Sequence, residues 1–131
     1  MPGQNAELVR VWFERLAAGD LAEDLWHSDL VVENVETLVF EATYRGHEGL
    51  RRWWDDLTEV FSDASVELEH AEELDDGRVL SRQRLRGRFK ATGIDFDDAW
   101  WAVGTVRDGK LARVKGYSSK KRALRDAGLR P

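Results

Sequence analysis

Between Ser65 and Ser118 the chain is written in long runs of alternating polar and apolar residues, broken at Asp76-Gly77, Thr92-Gly93 and Asp108-Gly109. Alternation with a period of two is the pattern of a strand whose two faces differ, and Asp-Gly is a strong signal for the tight turn of a hairpin. The spacing predicts four antiparallel strands in a meander, at about Ser65 to Leu74, Arg78 to Lys90, Ile94 to Arg107 and Lys110 to Ser118. A fold built on such a sheet must find a second layer to cover it.

The preceding residues supply that layer. From Asn5 to Ala18 the apolar residues Val9, Trp12, Phe13 and Leu16 recur at helical spacing, and Gly19-Asp20 supplies a stop. Asp20 predicts the N-cap of a short second helix carrying Leu21, Leu25 and Trp26, ended near His27 and Ser28. The run Leu30 to Val35 predicts a strand, Tyr44-Arg45-Gly46 a turn, and Leu50, Trp53, Trp54, Leu57, Val60 and Phe61 a third helix. Ser119 can cap a last helix that closes at Gly128-Leu129. The sum is an α+β domain occupying 1–131, a length that suits one domain, with helices laid on one face of a curved sheet.

Composition narrows the chemistry. With 20 Lys and Arg against 25 Asp and Glu, the net charge of -5 has the wrong sign for a nucleic-acid binder. The absence of cysteine excludes disulfides, a thiolate nucleophile, thiolate metal sites and iron-sulfur clusters. His27, His47 and His70 lack metal-ligand spacing, and neither a phosphate-binding glycine loop nor a nucleophile elbow occurs, so no metal and no cofactor are expected. No apolar run has the length of a membrane span, and Met1 to Asn5 lacks the layout of a signal peptide, which makes the cytoplasm the expected location.

If Thr92-Gly93 and Asp108-Gly109 are both two-residue turns, Arg84 lies opposite Trp101, Arg82 opposite Val103, and Val103 opposite Val114. One face then holds Arg82, Arg84, Arg86, Arg88, Asp97, Trp101, Val103, Val114 and Gly116. The other holds Leu85, Phe89, Phe96, Trp100, Ala102, Leu111 and Tyr117. Large apolar groups on both faces predict that the face without helices is covered by a second copy, as a homodimer.

The first helix ending in Ala18-Gly19-Asp20, the strand after His27 and Asp29, Tyr44-Arg45-Gly46 before a helix, Asp108-Gly109-Lys110, and the closing Ala123-Leu124 and Ala127-Gly128-Leu129 form a familiar pattern. From about Leu8 to Leu129 it resembles the SnoaL-like branch of the nuclear-transport-factor-two-like superfamily. The resemblance implies a cone-shaped half-barrel, with N-terminal helices packed on the concave face of a curved, mostly antiparallel sheet and a ligand cavity between them. Members include polyketide cyclases, steroid isomerases, epoxide hydrolases, dehydratases and binding proteins, and a shared fold does not settle which chemistry is present.

Laid on this chain, the ketosteroid isomerases' tyrosine falls on Trp12, their base on Asn34 and their acidic donor at or beside Trp101, which removes the proton shuttle. Limonene epoxide hydrolase matches at Asn34 and Arg82, but its two aspartates fall on Arg84 and Gly116, which removes both base and acid. For a SnoaL-type cyclase the best carboxylate is Asp97, whose position opposite Arg88 reads more simply as a cross-strand ion pair.

The resemblance implies a pocket of Trp12, Phe13 and Leu16 from the first helix, Val32 and Asn34 from the first strand, Trp53 and Leu57 from the third helix, and Arg82, Arg84, Trp101 and Val103 from the sheet. Asn34 and Arg82 would orient or polarise a small, largely apolar ligand with a carbonyl or anionic group, for binding or for a cofactor-free lyase, isomerase or hydrolase reaction. Two alternatives stand beside this. Trp12, Trp53 and Leu57 at helical spacing are equally the pattern of a core, and amphipathic patterning alone makes Arg82 to Arg88 a solvated face; only the family alignment turns the arginines inward. The other is a noncatalytic dimerisation or partner-binding module that uses Leu85, Phe96, Trp100 and Tyr117 on the convex face.

Overall fold

A computed structural model describes residues 3–34 and 42–129. Its strands are β1 (Trp26–Asn34), β2 (Thr43–Arg45), β3 (Phe61–Glu73), β4 (Val79–Phe89), β5 (Asp95–Arg107) and β6 (Lys110–Tyr117). Its helices are α1 (Gln4–Ala17), α2 (Gly46–Val60) and α3 (Lys120–Asp126). The strands form one open sheet in the order β2-β1-β6-β5-β4-β3, antiparallel throughout except for the parallel pair β1–β6. This is an α+β fold with α1 and α2 on one face of a mixed sheet. The expected strand residue Val35 lies outside the described residues.

α1 forms where the apolar spacing placed it, and Val9, Trp12, Phe13 and Leu16 are all buried. Its first turn is capped from across the molecule. The Glu73 carboxylate at the end of β3 accepts the backbone N–H groups of Asn5 at 2.8 Å, Ala6 at 3.1 Å and Gly3 at 3.3 Å. Those bonds, Ala6 first, hold its carboxyl below the usual range. α2 is amphipathic, with Leu50, Trp53 and Leu57 turned inward.

The expected second helix is only a single 3₁₀ turn, Glu23–Leu25. Asp20 bonds the Ala22 N–H and Arg15 instead of opening a helix, and Trp26 begins β1, pairing with Leu111. That pairing buries the indole against Trp12, with ring centroids 5.3 Å apart, a contact no helix at this position would make. The Tyr44 turn is in fact the short strand β2. Tyr44 sits opposite Val32 and its hydroxyl donates to Asp56 at 2.5 Å.

The meander has the expected order but not the expected register. Phe89 pairs back to Ile94 around the turn 90–93, four residues where two were expected, so Arg82 lies opposite Trp101 and Arg84 opposite Ala99. A shift of two leaves the faces unchanged. Between β5 and β6 the Asp108-Gly109 turn pairs Arg107 with Lys110 as expected. Two residues on, Val106 pairs with Leu111 and Thr105 with Arg113, leaving Ala112 as the extra residue of a bulge. That one-residue slip inverts the rest of β6: Val103 faces Lys115, Val114 and Gly116 join the face of Trp100 and Ala102, and Tyr117 joins the face of Trp101.

The face of β4 and β5 toward α1 and α2 carries Val79, Ser81, Gln83, Trp100, Ala102 and Gly104. On the opposite face α3, capped by the Ser119 hydroxyl accepting from the Arg122 N–H, covers Leu80, Val103 and Tyr117 through Ala123. Among the described residues no helix is long and apolar enough to cross a membrane.

Candidate functional site

α1 and α2 do not press flat onto the middle of the sheet. They leave a hollow bounded by Val9, Trp12 and Phe13 of α1, Leu50 and Trp53 of α2, Trp26, Val32 and Asn34 of β1, and the inner faces of β4, β5 and β6. Its walls are mostly hydrocarbon and indole. The free volume is about 60 Å³, room for a few waters and below the ~150 Å³ of a cavity that admits benzene. An occupant larger than a few heavy atoms would need the side chains around it to give way.

Several walls are fixed by bonds of their own. The Trp12 indole N–H donates to the Leu21 carbonyl at 3.0 Å, and its ring meets Trp53 at 6.0 Å. Asn34 ends β1 opposite Gly116. A Cβ at Gly116 would stand 3.5 Å from the Asn34 Oδ1 and 3.6 Å from Trp100, so the glycine leaves open the space these two side chains share.

On β4, Ser81 and Gln83 are buried polar residues that line the hollow, and the Gln83 amide N–H donates to the Ser81 hydroxyl. Two buried atoms of the lining have no hydrogen-bond partner: Oε1 of Gln83 and Nε1 of Trp26. No Asp, Glu, His, Lys or Arg stands among the described lining residues. Nor do the described residues contain a group of three or more His, Asp or Glu that could hold a metal ion.

Of the residues expected in the pocket, Trp12, Phe13, Val32, Asn34 and Trp53 line the hollow. Leu16 and Leu57 are buried in the helix-sheet core without lining it. Arg82, Arg84, Trp101 and Val103 lie on the opposite face. Burying guanidinium groups in an apolar hollow would cost far more than leaving them in water beside carboxylates, and the strand alternation resolves in that direction. Arg84 pairs with Asp97 at 2.7 Å and Glu69 at 2.9 Å, which holds both carboxyls below their usual range. Arg82 lies 3.4 Å from Glu69 and over the Trp101 ring at 5.8 Å, with Lys120 at 5.3 Å from the same ring. Val103 is buried beneath α3.

Asp97 is in cross-strand ion pairs as expected, although with Arg84 and Arg86; Arg88 takes Asp95 instead. The expected apolar convex patch is corrected by the same alternation. Trp100 lines the hollow, Leu85 and Phe96 belong to the same core, and Tyr117 is buried under α3, where burial pushes its hydroxyl up to about 12.

Sequence reasoning missed Trp26, Ser81, Gln83, Trp100, Val114 and Gly116 as lining residues. Val79-x-Ser81-x-Gln83-x-Leu85 was a usable signal, because it is the uncharged register of a strand whose other register is arginine. The bulge at Ala112 had no such signature.

A model of the SnoaL-like domain matches residues 9–114. Among curated protein sequences none matches the chain significantly. Solved structures of the same fold include Bal32a from a soil-derived mobile gene cassette, at 19% identity, TM-score 0.80, covering 93% of this chain and 94% of that one. TerC co-crystallised with polyporic acid has 18% identity, TM-score 0.74 and coverage of 91% and 94%. A protein of ketosteroid-isomerase-like fold from Catenulispora acidiphila, in complex with trimethylamine, has 18% identity, TM-score 0.72 and coverage of 94% and 93%.

Proposed function

Since the chain belongs to the SnoaL-like domain family, we propose that its hollow is the functional site and receives a compact, largely apolar small molecule. The carrying observation is an indole-walled space in which buried polar atoms stand unpaired. Apolar walls with a few convergent polar groups bind a ligand body and fix its orientation. Asn34, at the end of β1 beside the open space at Gly116, orients a polar atom of the ligand. TerC crystallised with polyporic acid and the Catenulispora acidiphila protein with trimethylamine support the reading, since proteins of this fold have been crystallised with quite different organic molecules.

The described walls hold no proton donor or acceptor that titrates near neutrality, so what these residues offer a ligand is positioning and polarisation. Arg82 and Arg84, on the outer face, take no part.

Four indoles on the walls make the hollow its own reporter. Titrating compact cyclic probes such as cyclopentanone and phenol should change tryptophan emission saturably in the wild type. Ala102→Leu fills the hollow at an overpacking cost of about 1–3 kcal/mol and should abolish saturation while circular dichroism shows the fold retained. Equal, non-saturating changes in both proteins would remove the proposal.

A further inference from the structure

We infer that the ligand is electrically neutral and carries a hydrogen-bond donor for Gln83, as an alcohol, phenol or carboxamide does; this rests on the hollow being a ligand site. Gln83 is 3% exposed and Trp26 2% exposed, and both line the hollow. Buried polar atoms are almost always paired, so the unpaired Oε1 of Gln83 calls for a partner that is not part of the chain. Ser81 occupies one end of the Gln83 amide, which leaves the other end for the occupant. Because most of the surrounding wall is apolar, a ligand that donates to Gln83 restores a bond that an apolar occupant leaves unmade.

Charge sets the second half of the inference. No described lining residue is cationic, and the four arginines of β4 are on the outer face, where Arg84, Arg86 and Arg88 are paired with carboxylates at 3.0 Å or less. An ionised carboxylate entering the hollow would lose its water without gaining a counter-charge. The site therefore takes an amide and rejects the acid of the same shape.

Cyclopentanecarboxamide, cyclopentanecarboxylate and methylcyclopentane share a ring and differ only in the polar group, so the full chain can be titrated with each at pH 7 by tryptophan emission. The amide should bind at least tenfold tighter than the carboxylate, and Gln83→Leu should weaken the amide about tenfold while leaving methylcyclopentane as tight or tighter. Gln83→Met, which keeps the length of the side chain and deletes its amide group, should also weaken the amide ligand and serves if Gln83→Leu does not fold. If methylcyclopentane binds as well as the amide and neither variant matters, the polar inference falls and the binding hollow stands. A carboxylate that binds as tightly as the amide overturns the charge argument. Saturable binding by none of the three brings down both the inference and the site.

Discussion

The two faces of β4 and β5 are made from interleaved residues of the same strands, yet they solve different problems. Facing α1 and α2, Val79, Ser81, Gln83 and Ala102 are buried and uncharged, and they wall a hollow. One residue away on each strand, Arg82, Arg84, Arg86 and Asp97 form an ion-pair ladder in solvent, and only where α3 lies down do Leu80 and Val103 become core. The difference shows that position on a face is not enough to give a residue weight. What counts is whether a helix covers it, since burial decides how much surface leaves water.

The sharpest way to break this contrast is to cut into the helix-covered side. Phe61 is 2% exposed and packs on Phe89 and Phe96 at 4.7 and 5.2 Å. Phe61→Ala should destabilise by about 3–5 kcal/mol in urea unfolding, and a smaller loss would mean that Phe89 and Phe96 collapse to fill the gap.

On the outer face Leu80 is fully buried under α3, whereas Arg86 is 51% exposed and paired with Glu67 in solvent. Leu80→Ala should cost about 2–5 kcal/mol and Arg86→Ala at most about 1 kcal/mol in the same assay. Similar losses would show that α3 adds nothing.

The smallest effect is a pH dependence. Arg84 depresses the Glu69 and Asp97 carboxyls, so their contribution is present above the ordinary carboxylate range near pH 4 and is lost as pH falls through the depressed values. Wild type and Arg84→Gln should differ in Tm at pH 7, with the gap narrowing as pH falls through the depressed carboxyl values, and a gap that persists unchanged in acid would put Arg84's contribution elsewhere.

Much of the fold could be read from short-range signals. The i, i+3, i+4 spacing of α1 and α2, the Asp-Gly turns and the Ser119 cap each state a local backbone preference, and each forms where it was expected, except that Phe61, expected in the helix, opens β3 four residues before the expected strand start. The site was legible only on its helical and β1 walls, at Trp12, Phe13, Val32, Asn34 and Trp53. On the sheet, alternation by itself sent the arginines outward, and the residue-by-residue match to an epoxide hydrolase pulled Arg82 and Arg84 the wrong way. A structural likeness at 18–19% identity carries the fold without carrying the facing of individual side chains.

Sequence alone thus determined α1, α2, α3 and the four strands of the meander, with their order and the pairing of each strand with its neighbour, because those follow from local propensity and from turns of a few residues. The tertiary structure alone decided which residues of β6 wall the hollow and which lie under α3. That depended on a single extra residue at Ala112 and on where α3 docks, and both are settled by how much apolar surface the whole assembly of helices and sheet can bury together.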